Sequence, residues 1–180
     1  MALESILGGK KLQSIKDLLL SISGLPGDIA ELGVYKGGTA EYMHDLVPSK
    51  TLWLFDTFKG MPHKDDIDFH EVGSFSDLDF DKIKEAFAGK PVHICAGKFP
   101  ETAPTGEIQF CFVHLDADQY QVTKQGLEYF FPRLVPGGII ILDDYEWKYC
   151  QGVEKAVSEF LKTVTCKFSL GAKFQCVLTK

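Results

Sequence analysis

Carboxylate side chains stand near the ends of four apolar segments that are far apart in the sequence. These residues are Glu31, Asp56, Asp116, Asp118, Asp143 and Asp144. If the segments are strands of an open α/β sheet, their carboxyl ends meet at one edge, which is where such sheets bind ligands. One acid alone could cap a helix or face solvent. The whole set indicates a ligand site with a high density of negative charge.

A glycine-containing loop, residues 33–39, follows the first apolar segment. Thr39 stands where a phosphate-binding P-loop needs lysine, and Tyr35 stands where a G-x-G-x-x-G dinucleotide loop needs its second glycine. Asp56 follows about twenty residues later, where a carboxylate accepts both hydroxyls of a ribose, and Phe58 could stack on a purine. This pattern predicts a nucleoside cofactor without a pyrophosphate anchor, and fits S-adenosylmethionine better than NAD.

Three of the acids, Asp116, Asp143 and Asp144, form a second group at the ends of two strands. Carboxylates this close repel one another unless a cation lies between them. Oxygen ligands suit Mg²⁺, Ca²⁺ or Mn²⁺ rather than zinc, and no Cys or His spacing competes. The sequence therefore predicts a divalent cation. In the alternative interpretation, Asp144 caps the next segment and Asp143 is a solvated loop acid.

Two histidines call for opposite interpretations. His114 lies inside an apolar strand and is interpreted as a core histidine with satisfied hydrogen bonds. His70 lies in residues 57–77, a long stretch without periodicity that we name the lid-like loop. Because a loop above the strand ends can supply a lid or a general base, His70 is a candidate base.

Short apolar segments alternate with helical patterns along the chain, which is typical of an α/β layered fold. Segments that are apolar on both faces indicate parallel strands covered by helices on each side. Near the C-terminus, CKFSL and KFQCVLT surround Gly171 and Ala172 and predict an antiparallel hairpin. The expected fold is a doubly wound, mostly parallel sheet that closes with this hairpin. Strands are expected at 28–33, 51–56, 91–96, 108–116 and 139–142, and helices at about 9–23, 38–47, 78–89, 119–131 and 151–163.

The length of 180 residues suits a single domain, 1–180, with a helical segment at 1–26 and the lid-like loop as its main appendages. With 19 basic and 25 acidic residues the net charge is −6, which disfavours nucleic acid as a partner. No apolar run approaches the roughly 20 residues that span a bilayer, and no signal-peptide pattern is visible. Five cysteines without a C-x-x-C pair argue against a disulfide scaffold, so we expect a cytoplasmic location.

Four segments in a fixed order carry a family resemblance: ELGVYKGGTA, LFDTFKGMP, HLDADQY and LVPGGIIILDDY. Together they resemble the macrocin O-methyltransferase family, whose members include sugar O-methyltransferases of antibiotic pathways. The resemblance runs from about Gly27 to Ala156. It implies the Rossmann-like class I methyltransferase fold with a seven-stranded sheet, S-adenosylmethionine as cofactor, and a divalent cation, usually Mg²⁺.

The resemblance also implies roles for individual residues. The methionine part of the cofactor would be surrounded by Glu31, Gly33, Tyr35, Gly37 and Thr39. The adenosine part would contact Asp56, Thr57, Phe58, Gly97 and Lys98, with Asp56 on the ribose hydroxyls. The metal would bind Asp116, Asp143 and Asp144, and Asp116 would also border the cofactor. Asp118 matches an acid proposed as general base in some members, and His70 matches more loosely a loop histidine with that role in others.

These residues lead us to expect methyl transfer to a hydroxyl of a small molecule, such as a vicinal diol, a sugar or a catechol-like compound. Family members usually carry a longer N-terminal region than this sequence does, and a longer loop after D-T-F-x-G-M-P. These parts cover the acceptor, so the antibiotic-sugar substrate does not follow from the resemblance. Selectivity would then depend on the lid-like loop, the N-terminal helix or a neighbouring subunit of a homo-oligomer.

Two other functions remain open at this point. Asp116-Ala117-Asp118 also fits the D-x-D metal site of a nucleotide-sugar glycosyltransferase. A methyltransferase-like domain could also bind a cofactor or a partner without catalysis.

Overall fold

The computed structural model describes residues 2–180 and contains one seven-stranded sheet. Its strands are β1 (Asp28–Leu32), β2 (Leu52–Asp56), β3 (Val92–Ala96), β4 (Phe110–Leu115), β5 (Leu134–Leu142), β6 (Lys167–Leu170) and β7 (Cys176–Thr179). They lie in the order β3-β2-β1-β4-β5-β7-β6. The first five strands are parallel, and β7 pairs antiparallel with both β5 and β6. The predicted fold, a doubly wound sheet with a C-terminal hairpin, is confirmed.

Five helices connect and cover these strands, as predicted: α1 (Gly9–Ser21), α2 (Gly38–Leu46), α3 (Phe80–Ala86), α4 (Tyr120–Arg133) and α5 (Gln151–Phe160). The prediction of 78–89 for α3 is too long at both ends. The chain becomes helical only after Asp79, whose carboxylate accepts a hydrogen bond from the Lys82 backbone N–H at 3.0 Å, and the helix ends at Ala86. No helix within residues 2–180 is long and apolar enough to cross a membrane.

The core has two layers because the strands bury side chains on both faces. On one face, Ile15 and Leu19 of α1 pack with Met43 of α2 and Ile83 of α3. On the other face, α4 and α5 supply the covering residues, which include Leu127, Phe130 and Val157. All six residues of β4 are buried, as expected for the middle of a sheet that is covered on both sides.

The predicted start of the fifth strand, residue 139, is wrong. β5 begins at Leu134, which pairs with Phe110, whereas the next paired positions are Ile139 and Phe112. Three more residues therefore lie on β5 than on β4 between these pairs. This irregularity accommodates Pro136 and Gly137, which the sequence alone marks as a turn.

Candidate active site

A cavity of about 340 Å³ lies at the carboxyl ends of the central strands β1, β2 and β4. Residues 33–36 of the glycine loop form one wall, and residues 4–7 of the N-terminal segment form another. The cavity brings together most of the residues that the sequence singled out: Glu31, Gly33, Tyr35, Thr39, Asp56, Thr57, Gly97, Asp116, Asp118 and Asp144. They come from segments up to 113 residues apart, since 144 − 31 = 113.

Gly33 allows the ends of β1 and β4 to touch. Its φ is +90°, and a Cβ atom there would lie 1.9 Å from the carbonyl oxygen of Asp116. Any other residue would therefore push the ends of β1 and β4 apart. This close approach fixes the start of the glycine loop beside the acids that follow β4.

The carboxylate of Asp56 organises the glycine loop. Its Oδ2 accepts hydrogen bonds from the backbone N–H groups of Val34 at 2.7 Å and Tyr35 at 2.9 Å. Its Oδ1 accepts one from the Phe58 N–H at 2.8 Å. Asp56 thus joins the end of β2 to the loop after β1, and it also lines the cavity.

Three residues expected near the cofactor lie outside the cavity lining. Phe58 is buried, and its ring stacks on Phe80 with a centroid distance of 4.4 Å. Lys98 is exposed. Gly37 precedes α2 with a φ of +84°, and a Cβ atom there would lie 2.8 Å from Leu3 Cδ1. None of these three residues therefore shapes the cavity.

Asp116, Asp118 and Asp144 form a compact group that we name the acid cluster. One carboxylate oxygen from each lies within 4.8 Å of the others. Burial raises the pKa of Asp116 and Asp118 well above the ordinary value, and the neighbouring carboxylates raise it further. A hard divalent cation prefers such oxygen ligands and would relieve this repulsion. The donor set of the acid cluster therefore fits the predicted metal.

Asp143 is adjacent in sequence to Asp144 but faces cationic groups of the protein. Its Oδ1 lies 2.6 Å from Lys11 Nζ, and its Oδ2 accepts hydrogen bonds from His114 Nε2 at 2.8 Å and Gln175 Nε2 at 3.2 Å. Burial alone would raise the pKa of Asp143, but His114 and Lys11 hold it below the ordinary value. Asp143 does not line the cavity, but one of its carboxylate oxygens lies within 4.8 Å of ligand atoms of His114 and Asp116, so its role as a metal ligand stays a prediction.

His114 is a fully buried core histidine that contacts acids from two different strand ends. Its Nδ1 lies 2.8 Å from Glu31 Oε1, while its Nε2 bonds Asp143. Burial alone would lower the pKa of His114, but the two carboxylates raise it well above the ordinary value. The His114 ring therefore links Glu31 on β1 to Asp143, which follows β5.

His70, the candidate base on the lid-like loop, lies beside Asp118. Ligand atoms of His70, Asp118 and Cys150 all fall within 4.8 Å of one another. The His70 ring packs edge-on against Phe69 and Phe75, with centroid distances of 5.4 and 5.1 Å. His70 is absent from the cavity lining, so it would act on an acceptor only through Asp118 or after a movement of the loop.

The lid-like loop has an anchor that the sequence analysis missed. Asp68 is buried, its Oδ1 accepts a hydrogen bond from the Tyr120 N–H at 2.9 Å, and its Oδ2 accepts one from the Asp65 N–H at 3.1 Å. Gln119, which precedes α4, makes no side-chain capping bond. Asp68 therefore caps α4 from a distant loop, an arrangement for which the local sequence around α4 carries no signal.

Replacing Asp68 with alanine should release the lid-like loop from α4. We expect a loss of about 1–2 kcal/mol in the free energy of unfolding, typical of a lost N-cap, and faster cleavage by trypsin at Lys64. Asp66→Ala is the matched control, because Asp66 is exposed in the same loop. Equal cleavage rates for the two variants would show that Asp68 does not hold the loop.

A protein-family model described as macrocin-O-methyltransferase (TylF) matches residues 2–171. One similar protein is 8-demethyl-8-(2,3-dimethoxy-alpha-L-rhamnosyl)-tetracenomycin-C 4'-O-methyltransferase of Streptomyces olivaceus. It is 29% identical over 170 residues, which cover 82% of this chain and 64% of that protein. Another is mycinamicin III 3''-O-methyltransferase of Micromonospora griseorubida, 28% identical over 179 residues, which cover 87% of this chain and 69% of that protein. The chain thus spans about two thirds of the length of these relatives.

Among solved structures, the O-methyltransferase NovP superimposes with a TM-score of 0.85. The superposition covers 98% of this chain and 81% of NovP at 24% sequence identity. At that identity the likeness concerns the fold, and it places the seven-stranded sheet described above among methyltransferase folds.

Proposed function

Because the chain belongs to the macrocin O-methyltransferase family, we propose that it transfers a methyl group from S-adenosylmethionine to a hydroxyl of a sugar or similar small molecule. One observation carries the proposal: a single cavity has a half that suits a nucleoside and an acidic half. The glycine loop and Asp56 make the first half, and the acid cluster makes the second. A methyl donor and an acceptor hydroxyl could therefore meet between them.

The residues of the first half suit the charged and polar parts of S-adenosylmethionine. Glu31 lines the cavity, and its Oε2 is buried without a hydrogen-bond partner within residues 2–180. A buried carboxylate oxygen of this kind favours a cationic partner, such as the ammonium of the methionine part. Asp56 keeps its carboxylate at the cavity wall, where ribose hydroxyls can donate to it.

The second half suits activation of a hydroxyl. A divalent cation held by Asp116 and Asp144 would lower the pKa of an acceptor hydroxyl and hold it in line with the methyl group. If that cation bound two neighbouring oxygens of the acceptor, a vicinal diol or catechol-like compound would suit it.

Asp118 is the residue best placed to accept the proton. It lines the cavity, and one of its carboxylate oxygens lies within 4.8 Å of those of Asp116 and Asp144, so a hydroxyl held there could pass its proton to it. In this reaction the carbon–sulfur bond of the methyl donor would break, a carbon–oxygen bond to the acceptor would form, S-adenosylhomocysteine would be left, and the hydroxyl proton would move to a base of the protein. His70, within 4.8 Å of Asp118, is the second candidate for that base or for the onward transfer of the proton.

Ligand-induced thermal shifts test the cofactor half of this proposal. S-adenosylhomocysteine should raise the melting temperature of the protein, whereas UDP-sugars with Mn²⁺ should not. The opposite result would favour the D-x-D glycosyltransferase. A non-catalytic domain would also respond to S-adenosylhomocysteine, so turnover against a panel of sugars, diols and catechols separates it from an enzyme.

Removal of the metal should slow methyl transfer. We expect EDTA, or the variant Asp144→Asn, to reduce turnover of a responsive acceptor at least about tenfold, since the acceptor hydroxyl would lose its activation. Asp17→Asn on the exposed face of α1 is the control for a change of charge alone. Unchanged turnover in EDTA and in Asp144→Asn would remove the metal from the mechanism and leave the cofactor assignment in place.

A further inference from the structure

Helix α1 places the ammonium group of Lys11 beside Asp143 and Asp144. Lys11 Nζ lies 2.6 Å from Asp143 Oδ1 and 3.2 Å from Asp144 Oδ1, and the Lys11 side chain is only 19% exposed. Ile15 and Leu19, one and two turns farther along α1, are fully buried in the core. The apolar face of α1 therefore fixes the helix against the core, and this holds Lys11 beside the two acids instead of leaving it in solvent.

Asp144 is shared between this lysine and the acid cluster. It contributes an oxygen to the group with Asp116 and Asp118, and it is also the partner of Lys11. An ammonium at this distance neutralises part of the charge that would otherwise attract a divalent cation. A divalent cation bound to Asp144 would in turn repel the ammonium at close range.

We propose that Lys11 is an internal counter-cation of the acid cluster, and that a divalent cation binds there only as the Lys11 ammonium withdraws from Asp144. The inference deepens the proposed function, since it rests on the metal site of that proposal. It predicts that this chain binds its metal more weakly than the acid cluster alone would, and that the metal and the start of α1 compete.

The segment just before α1 contacts residues of α2 and lines the cavity. The Leu3 N–H donates to Glu41 Oε2 at 2.6 Å, and the Ser5 and Thr39 hydroxyls lie 2.8 Å apart. Residues 4–7 line the cavity next to the glycine loop. A movement of Lys11 at the start of α1 could therefore reach the cavity wall that residues 4–7 form. We expect the backbone amide hydrogens at the start of α1 to exchange faster with solvent when metal binds.

Binding of Mn²⁺ to the full chain, measured from the electron paramagnetic resonance signal of free Mn²⁺, tests the inference without cofactor or acceptor. Lys11→Met should bind Mn²⁺ at least about tenfold more tightly than wild type, because a neighbouring like charge is removed. Lys10→Met is the matched control on the same helix, since Lys10 is exposed, and it should match wild type. Lys11→Arg keeps the charge and should also bind as wild type does.

Stability supplies a second readout that does not need activity. Without metal, Lys11→Met should melt below wild type, because Asp143 and Asp144 lose a cationic partner, and saturating Mn²⁺ should recover the difference. If Lys11→Met folds poorly, Lys11→Gln, which keeps a polar side chain, replaces it in both measurements.

Mn²⁺ binding equal to or weaker than wild type by folded Lys11→Met, or by folded Lys11→Gln in its place, would overturn the inference. Absence of Mn²⁺ binding by wild type and variants alike would overturn it too, and the response to S-adenosylhomocysteine would then still test the methyltransferase assignment independently.

Discussion

Replacement of His114 by leucine is expected to lower the free energy of unfolding by at least about 3 kcal/mol. The variant keeps a side chain of similar size but leaves the carboxylates of Glu31 and Asp143 facing an apolar group. Both acids are almost completely buried, with 1% relative exposure each. Removing one member of a buried ionic network typically costs about 3–5 kcal/mol, because a remaining charge loses its partner without regaining water. Here Glu31 loses the His114 ring, whereas Asp143 keeps Lys11 and Gln175. Urea denaturation followed by circular dichroism measures the change.

His93→Leu is the matched control for this experiment. His93 also lies on a strand, β3, but it is exposed at the edge of the sheet and stacks on Trp53 with a centroid distance of 4.1 Å. Its replacement should cost less than about 1 kcal/mol, the usual range for a surface contact. If His114→Leu were no more destabilised than His93→Leu, the imidazolium could not be the charge that balances Glu31 and Asp143.

Replacement of Asp56 by alanine should weaken binding of S-adenosylhomocysteine at least about 100-fold. In the proposed function the carboxylate accepts the ribose hydroxyls, and a hydrogen bond to a charged group contributes about 1.5–3 kcal/mol. The variant would also remove the acceptor of the Val34, Tyr35 and Phe58 N–H groups. The glycine loop would thus lose its order together with the ligand contact. Isothermal titration calorimetry gives the affinity directly.

Two variants separate these contributions. Asp56→Asn keeps the size of the side chain and one acceptor oxygen, so it should lie between wild type and Asp56→Ala in affinity. Asp81→Ala, at a position whose side chain is 84% exposed and pairs with Lys84, should bind S-adenosylhomocysteine as wild type does. Wild-type affinity in Asp56→Ala would exclude this carboxylate from the cofactor site.

The position of the site could be predicted from the sequence because the carboxyl ends of parallel strands lie at the same edge of the sheet. Acids after β2 and β4 had to reach the same edge once the apolar segments were recognised as strands. Glu31 was found for the same reason, although its main contact, the His114 imidazole, lies 83 residues away in sequence. Strand pairing, rather than any local motif, brings these side chains together.

The direction of each side chain at the edge could not be predicted in the same way. Asp143 and Asp144 are neighbours, yet only Asp144 lines the cavity, whereas Asp143 points toward His114 and Lys11. Within a strand, successive side chains point to opposite faces of the sheet. Beyond Leu142, the last paired residue of β5, this alternation no longer fixes the direction of a side chain. Lys11 was missed because it looks like a solvated lysine on an amphipathic helix, 133 residues before its partner Asp144.

The position of β7 has a consequence for synthesis of the chain. β7 is inserted between β5 and β6, so the side of β5 that includes Ile140 and Ile141 has no partner until residues 176–179 have been made. The five parallel strands end at Leu142, and residues 143–175, which number 33, separate them from the start of β7. At about 5–20 residues per second the ribosome takes roughly 2–7 seconds over this stretch. During that interval the nascent domain presents an open apolar strand edge, the kind of surface to which chaperones bind and on which nascent chains aggregate.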